Sequence, residues 1–193
     1  MIYMFLAPGF EEVEALAPLD LLRRAGLAVT TVAVSAGSAH PVSPRAVEGS
    51  HRITVLADIT EEDFRRTVLE GRGTPVEAVI LPGGMPGTTH LDASPVVEDA
   101  LAMAHEQGAF LCAICAAPLV LGKRGYLAGK RATCYPGFEG YLQGAETGGK
   151  VIRDGQVITA AGMGVAQEFG LELVSALFSP EKAGEIRASI QSL

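Results

Sequence analysis

The chain contains 193 residues, and its hydrophobic (48%) and charged (19%) fractions give a slight apolar excess that suits a sheet buried on both faces. Its formal net charge of −7 disfavours nucleic-acid binding, which depends largely on clustered lysine and arginine. Its apolar runs are shorter than the roughly 18 residues of a membrane span, and its N-terminus does not resemble a signal peptide. We therefore expect a single cytoplasmic domain over residues 1–193, with neither a membrane nor a nucleic-acid partner.

Short apolar runs alternate with amphipathic segments along most of the chain. In chain order the pattern predicts strand Ile2–Ala7, helix Glu11–Ala25, strands Ala28–Val34 and Ile53–Ala57, helix Thr60–Leu69, strand Ala78–Leu81, helix Pro95–Gln107, strand Phe110–Ile114, helix Ala116–Arg124, strands Arg131–Cys134 and Val157–Ala160, and helices Val165–Phe178 and Pro180–Ile190. Residues 37–49, rich in serine, proline and glycine, are expected to form a surface excursion. This alternation predicts an α/β fold, a three-layer α/β/α sandwich with a mostly parallel, flavodoxin-like sheet that binds ligands at its carboxyl edge.

Two cysteines lie in the run Phe110–Gly125, FLCAICAAPLVLGKRG, with the spacing C-x-x-C. If Cys112 lies in the strand and Cys115 just past its end, their Cα atoms are about 10 Å apart, whereas a disulfide needs them within about 7 Å. A zinc site would need two more ligands, and Cys134 is the only further cysteine. We therefore interpret Cys112 as a buried small hydrophobe, and we expect free thiols and no metal.

Cys115 lies where the apolar strand turns into a helix, and its neighbours are the small residues Ala113, Ala116 and Ala117. Small neighbours permit the sharp strand-to-helix turn of a nucleophile elbow, which presents a side chain above the sheet. The unpaired N–H groups and the dipole of the helix N-terminus favour a thiolate, so the pKa of Cys115 is expected to fall below the usual value of ~8.5. These features favour a functional cysteine, and a buried structural cysteine is the alternative.

Five motifs point to a known family. They are GFEEVEALAPLDLLRRAG, LPGGMPG, AICAAP, ATCYPGFE and GMGVAQEFGLELV, and together they span nearly the full length. With them the chain resembles the ThiJ/PfpI superfamily, in the branch of the Parkinson-disease protein deglycase and its bacterial relatives. The resemblance implies that Cys115 is the nucleophile, that Glu14 is its paired acid, and that the backbone N–H groups of Gly84 and Ala116 are oxyanion donors. A partly buried, protonated Glu14 could donate a hydrogen bond to the thiolate, and the alternative is a solvated first-turn acid.

Two positions depart from the family pattern. Tyr135 stands where many members have a histidine, and its usual pKa near 10 makes it a poor proton acceptor at neutral pH. Ala161 stands where the family has an arginine that could bind an anionic substrate. Tyr135 could still donate a hydrogen bond to substrate. His51 is a candidate for a compensating polar group in the substrate pocket, and a solvated loop histidine is the alternative.

The resemblance implies a cofactor-free enzyme in which Cys115 attacks a small reactive carbonyl such as methylglyoxal, or its early adduct on a protein or nucleotide. Such an enzyme would be a glyoxalase III-type lyase or a deglycase, and its product would be a hydroxy acid such as lactate. The alternative is a redox sensor or stress-response, chaperone-like protein that acts through oxidation of Cys115. A binding protein with a vestigial cysteine is a third interpretation. The family also implies a homodimer.

Overall fold

The computed structural model describes residues 1–35, 43–71 and 75–192, so residues 37–42 of the expected surface excursion lie outside it. Its strands are β1 Ile2–Leu6, β2 Val29–Ala33, β3 Ala46–Glu48, β4 Thr54–Leu56, β5 Ile59–Thr60, β6 Ala78–Leu81, β7 Phe110–Ile114, β8 Arg131–Ala132, β9 Glu146–Thr147, β10 Val151–Asp154 and β11 Val157–Ala160. Within the described ranges, seven strands form one sheet in the order β10-β11-β7-β6-β1-β2-β5. Its neighbouring strands are parallel, apart from β10 and β11. The pairs β3-β4 and β8-β9 form two small separate sheets.

Helices cover both faces of the large sheet. They are α1 Glu12–Arg24, α2 Glu61–Phe64, α3 Gly87–Ala93, α4 Pro95–Glu106, α5 Pro118–Lys123, α6 Ala166–Leu177 and α7 Pro180–Ser189. A π-helical turn, Arg65–Leu69, continues α2, and 3-10 turns lie at Glu139–Tyr141 and Met163–Val165. Apolar residues of α1, α6 and α7 share one core layer, and those of α2 to α5 share the other. The predicted α/β fold with a mostly parallel sheet between helices is confirmed.

The strands supply both core layers because successive side chains point to opposite faces of a sheet. In β1, Tyr3 and Phe5 face the layer of α2 to α5, whereas Ile2, Met4 and Leu6 face the layer of α1, α6 and α7. All five are buried. A strand covered on both faces therefore has a continuous apolar sequence rather than an alternating one.

The helix predicted from Ala116 begins two residues later, at Pro118. Residues 115–117 form a tight turn instead, in which the N–H of Ala117 donates to the carbonyl of Ile114 at 3.1 Å. Proline is well suited to the first helical position because its missing N–H would have no partner there. The delayed helix leaves an irregular segment immediately after β7.

The strand predicted to reach Cys134 ends at Ala132 and pairs with β9 rather than with the large sheet. The N–H of Thr133 donates instead to the hydroxyl of Thr159 in β11, at 2.9 Å. This bond holds the segment before Cys134 across the end of β11.

The candidate active site lies where the parallel strands β1, β6, β7 and β11 end at a common edge. Parallel strands place all their carboxyl ends on one side, which is where ligands bind in open α/β sheets. The loops that leave these four strands approach one another there. In the part of the chain that the structure describes, no helix is long and apolar enough to cross a membrane.

Candidate active site

Cys115 follows the last residue of β7 and has a left-handed backbone conformation, with φ of 65°. Such a conformation costs a non-glycine residue about 1–3 kcal/mol, so the surrounding structure must hold it. The N–H of Cys115 donates to the Ala160 carbonyl at 2.9 Å, and the Cys115 carbonyl accepts from the N–H of Tyr135 at 2.7 Å. These bonds tie the turn to β11 and to the loop after β8, and they form the elbow that the sequence predicts.

Glu14 is the third residue of α1 and points into the same edge. The carboxylate of Glu11 caps the helix by accepting the N–H of Glu14 at 2.8 Å. The side chain of Glu14 accepts a hydrogen bond from the N–H of Gly83 at 3.1 Å and is hydrogen-bonded to the thiol of Cys115. Because Glu14 is only 1% exposed, its interpretation as a solvated first-turn acid is wrong.

Burial and charge together set the protonation of this pair. Burial raises the pKa of Glu14 to about 7, since the negative charge of Glu11 adds to it and the hydrogen bonds from Cys115 and Gly83 only partly offset it. Burial also raises the pKa of Cys115 to about 12, with further contributions from the charge of Glu14 and its hydrogen bond. A carboxylate and a thiolate in contact repel each other, so the pair loses one proton near pH 7 and keeps the second far above it.

The expectation that the pKa of Cys115 falls below its usual value is therefore wrong. The backbone N–H groups of Ala116 and Gly84 do lower it, but burial and Glu14 outweigh them. Since α5 begins at Pro118, Cys115 also precedes the first helical turn and is not itself on the helix N-terminus. A thiolate is then available where Glu14 accepts the proton.

The two N–H groups that act on the sulfur come from different loops. Gly84 follows β6, and Ala116 follows the elbow. Gly84 has φ of 90°, and a Cβ there would overlap the main chain of residues 9–11, so the position requires glycine. Donors directed at the sulfur can also stabilise negative charge on an oxygen that becomes attached next to it. The structure thus brings together all four groups that the resemblance associates with catalysis.

Two glycines that sequence reasoning missed also contact the pair. A Cβ at Gly83 would lie 2.5 Å from Oε2 of Glu14 and 2.6 Å from the Cβ of Cys115, so only glycine fits. A Cβ at Gly162 would lie 3.9 Å from Oε1 of Glu14 and 4.0 Å from Sγ of Cys115. Gly83 therefore permits the close approach of the pair, and Gly162 leaves room beside it. The doubled glycine of LPGGMPG was the available signal for the first.

Tyr135 borders the room beside Gly162. Its Cδ2 atom lies 3.4 Å from the position that a Gly162 Cβ would take, and the residue is 51% exposed. Ala161, the other departure from the family pattern, precedes Gly162, and its N–H donates to the carbonyl of Lys150 at 2.8 Å. Tyr135 and Ala161 therefore provide an aromatic ring and a methyl group where the family resemblance implies a histidine and an arginine.

His51 is paired with Glu12 rather than with Cys115 or Glu14. Its N–H donates to Oε1 of Glu12 at 2.7 Å, and its Nδ1 lies 2.9 Å from Oε2. Burial alone would raise the pKa of Glu12, but hydrogen bonds from His51 and from the N–H of Ile53 outweigh it and hold the pKa at about 2. The same contact raises the pKa of His51. The structure therefore gives no support to His51 as a substrate-pocket residue.

One group within the described ranges has side-chain atoms close enough together to hold a metal ion. The ligand atoms of Glu11, Glu12 and His51 lie within 4.8 Å of one another. The Glu12 oxygens, however, already accept hydrogen bonds from Ser50 and His51, which a cation would have to displace. The expectation of no metal stays a prediction.

The other two cysteines are also free thiols. Cys112 is fully buried among apolar residues of the α1, α6 and α7 layer, including Met4, Ile80 and Ile158, which confirms it as a small hydrophobe. Burial raises the pKa of Cys112 well above its usual range. Cys134 is also buried, which raises its pKa to about 11.

Comparison with known proteins assigns these features to one family. The DJ-1/PfpI family model matches residues 1–176. The chain is 34% identical over 186 residues to protein dj-1beta of Drosophila melanogaster. The alignment covers 95% of this chain and 92% of that protein. It is 32% identical over 181 residues to the glutathione-independent glyoxalase DJR-1.2 of Caenorhabditis elegans, with coverage of 91% and 87%. The structure resembles that of oxidized Toxoplasma gondii DJ-1 with a TM-score of 0.87 and 30% identity, over 98% of this chain and 97% of that one. The chain therefore belongs to the DJ-1/PfpI family.

Proposed function

We propose that the protein is a cysteine-dependent, cofactor-free enzyme that converts small 2-oxoaldehydes, such as methylglyoxal, to hydroxy acids. The observation that carries this proposal is the contact between Cys115 and Glu14, with the N–H groups of Gly84 and Ala116 directed at the sulfur. This set contains a nucleophile, a proton acceptor and two donors for a developing oxyanion. The chain also belongs to a family in which one relative is named a glutathione-independent glyoxalase.

In the first step, Sγ of Cys115 bonds to the aldehyde carbon while the thiol proton moves to the Glu14 carboxylate. The carbonyl oxygen becomes the oxyanion of a hemithioacetal, and the N–H groups of Gly84 and Ala116 stabilise it. A pKa of about 7 suits Glu14 to this exchange, because a general base works best when its pKa is near the ambient pH. The raised pKa of Cys115 makes that proton acceptor necessary.

In the second step, Glu14 first returns its proton to the oxyanion and then removes the proton on the former aldehyde carbon. Delivering that proton to the neighbouring carbon, while the hydroxyl proton moves to the oxygen on that carbon, gives a hydroxyacyl thioester on Cys115. Water then hydrolyses the thioester and releases the hydroxy acid and the free thiol. The sum is one methylglyoxal and one water to one lactate, with no net oxidation and no cofactor. An early adduct of the same aldehyde on a protein or nucleotide amine would enter at the hemithioacetal stage, because Sγ displaces the amine and the thiol proton leaves with it.

The test is lactate release from methylglyoxal by the wild type, Cys115→Ser and Cys134→Ser. We expect Cys115→Ser to lose on the order of 10³-fold or more in rate, because the hydroxyl is a far weaker nucleophile in this pair. Cys134→Ser is the matched control, since it removes another buried thiol outside the pair, and it should keep its activity. Equal lactate release by the wild type and Cys115→Ser would reject the proposal.

A second function, redox sensing through Cys115, is supported by the protonation of Glu14. Because the pKa of Glu14 is about 7, its carboxyl carries a proton for much of the time at neutral pH and can donate to a sulfinate. Two molecules of peroxide would convert the thiol to the sulfinic acid and release two of water. Peroxide treatment followed by peptide mass measurement tests this, with Glu14→Gln as comparison. No added oxygen at Cys115 under mild peroxide would reject it.

A further inference from the structure

A space large enough for one methyl group lies beside the sulfur of Cys115, over the α-carbon of Gly162. A methyl group built there would contact Cδ2 of Tyr135 at 3.4 Å, Oε1 of Glu14 at 3.9 Å and Sγ of Cys115 at 4.0 Å. All three are ordinary van der Waals distances, so the space accepts a carbon without displacing an atom. A substrate whose carbonyl carbon is bonded to Sγ must direct its remaining group past these same atoms.

The surroundings of this space are apolar on one side and acidic on the other. Tyr135 is 51% exposed, so its aromatic ring is open to solvent beside Gly162, and Met163, the next residue in the chain, is 53% exposed. The backbone of Tyr135 is fixed by its hydrogen bond to the Cys115 carbonyl, and that of Met163 by its bond to Glu14. The charged groups that act on the pair itself are carboxylates, Glu14 on the sulfur and Glu11 on Glu14.

Resting on the proposed function, we infer that Tyr135 is a specificity-determining residue, and that the site selects 2-oxoaldehydes with a flat apolar substituent, above all an aromatic ring, over those with a methyl or an anionic one. The substituent would pass over Gly162 and pack against the exposed ring of Tyr135. Aromatic pairs add about 0.5–1.5 kcal/mol beyond simple burial, which corresponds to roughly two- to twelvefold in rate or affinity. An anionic substituent would meet the negative charge of Glu14 and Glu11 without a compensating cation in the pair.

Alkylation of Cys115 tests this selectivity without requiring turnover. The probes are phenacyl bromide, bromoacetone and 4-(bromoacetyl)benzoate; in each, Sγ bonds to the methylene carbon as bromide leaves. Each rate, followed by peptide mass measurement at Cys115, is divided by the rate with a free small thiol. We expect the phenacyl rate to exceed the bromoacetone rate by roughly two- to twelvefold after this correction, and the anionic probe to react more slowly than phenacyl bromide.

Variants assign the preference to the ring of Tyr135. Tyr135→Ala should bring the phenacyl to bromoacetone ratio close to that of the free thiol, whereas Tyr135→Phe should keep it. Tyr141→Ala is the matched control, because Tyr141 is 45% exposed in the same segment but packs near Phe138 and Lys123. A wild-type ratio equal to that of the free thiol would overturn the inference, whether or not Tyr135→Ala folds. An unchanged ratio in folded Tyr135→Ala would also overturn it.

A turnover arm separates this inference from the proposed function. Hydroxy acid formation from phenylglyoxal and methylglyoxal should show the same preference in kcat/KM, and Tyr135→Ala should lose it. If neither aldehyde is converted but the alkylation preference holds, the proposed function fails and the aromatic binding site remains. If both are converted at equal kcat/KM and the alkylation rates are also equal, the function holds and the selectivity is rejected.

Discussion

Glu12 and Glu14 lie two residues apart in the first turn of α1, and both are buried, at 4% and 1% exposure. The pKa of Glu12 is held at about 2, whereas that of Glu14 is raised to about 7. Glu12 accepts hydrogen bonds from the backbone and side chain of His51 and from Ser50. Glu14 accepts hydrogen bonds from the backbone N–H groups of Gly83 and Met163, and it otherwise faces the thiol of Cys115 and the negative charge of Glu11.

The difference shows that burial alone does not decide the charge of a carboxyl group. Burial raises the pKa of both residues, and the number of donors then determines whether the charged form is restored. Glu12 is satisfied as an anion and holds the segment after β3 against α1. Glu14 is left with a proton that it can exchange near neutral pH, which is what a proton carrier beside Cys115 requires.

The largest expected effect is on the proposed activity, because substitution of Glu14 and of Glu12 should have different consequences. Glu14→Gln should lower kcat/KM for methylglyoxal by about 10²–10⁴-fold, because an amide cannot accept the thiol proton. Glu12→Gln should keep most of the activity, since Glu12 does not contact Cys115. Steady-state lactate formation by the two variants measures the contrast, and equal losses would remove the distinction drawn between them.

The pH profile sharpens the same comparison. In the wild type, kcat/KM should rise as pH increases through about 7, where Glu14 loses its proton, and then level off because the second proton of the pair is held until about 12. Glu12→Gln should keep this rise, and Glu14→Gln should lack it. A wild-type profile that stays flat between pH 5 and 9 would contradict the assignment.

Substitution of Gly83 or Gly49 should displace Glu14 or Glu12, respectively, without changing either glutamate. Alanine at Gly83 would place its Cβ 2.5 Å from Oε2 of Glu14 and 2.8 Å from the Ile114 carbonyl, so the pair must shift. We expect Gly83→Ala to lose about 10- to 100-fold in kcat/KM. Alanine at Gly49 would overlap the carboxylate of Glu12 in the same way, and should lower thermal stability while activity is retained. Full activity in folded Gly83→Ala would show that the position of Glu14 is not critical.

Stability against pH provides a smaller effect with a defined sign. The pKa of Glu14 is 4.5 as its reference value and about 7 in the fold, so its contribution to stability is present below pH 4.5 and is lost as pH rises to about 7. Urea unfolding should therefore show that the free energy of unfolding of Glu14→Gln rises by about 2 kcal/mol relative to that of the wild type between pH 5 and pH 8. A wild-type and variant difference that is constant across this interval would contradict the raised pKa.

The smallest expected effect concerns His51. Its pKa is raised by Glu12, so the stabilisation by this pair is present below pH 6.5 and is lost as pH rises through the folded pKa. His51→Ala should lower the melting temperature slightly at pH 6 and less at pH 8, with unchanged lactate formation. Thermal melts at the two pH values measure this difference. A loss of lactate formation in His51→Ala would instead indicate that His51 contributes to the substrate pocket.

Much of the fold was predictable because its signals are local. The apolar runs of β1, β6 and β7, the proline after Ser94 and the glycine at position 26 set those elements within one or two residues of their observed bounds. The helix α3 was missed, since its sequence GTTHLDA carries no clear apolar period. The end of the strand before Cys134 was missed because a bond to Thr159, in a distant strand, decides it.

The elbow at Cys115 and the identity of its partner Glu14 followed from the sequence, the first from small residues at a strand end and the second from the family motif. The protonation of Cys115 and Glu14 did not follow from the sequence. The helix-dipole reasoning considered only the neighbours of Cys115 along the chain, whereas burial and Glu14, 101 positions away, determine the pKa of the thiol. The difference in pKa between Glu12 and Glu14 could not be predicted from the sequence either, because the hydrogen-bond donors that cause it belong to residues 50–53 and to Gly83.

The sequence by itself determined the α/β fold, the family and the position of Cys115 at a strand end, because strand periodicity, turn residues and motif spacing are properties of neighbouring residues. Only the tertiary structure decided that Glu12 is charged whereas Glu14 can hold a proton at neutral pH, that His51 pairs with Glu12, and that Tyr135 and Gly162 border room for a methyl group beside Sγ. Hydrogen-bond satisfaction, desolvation and steric room arise when loops from several strands meet, and no local segment contains them.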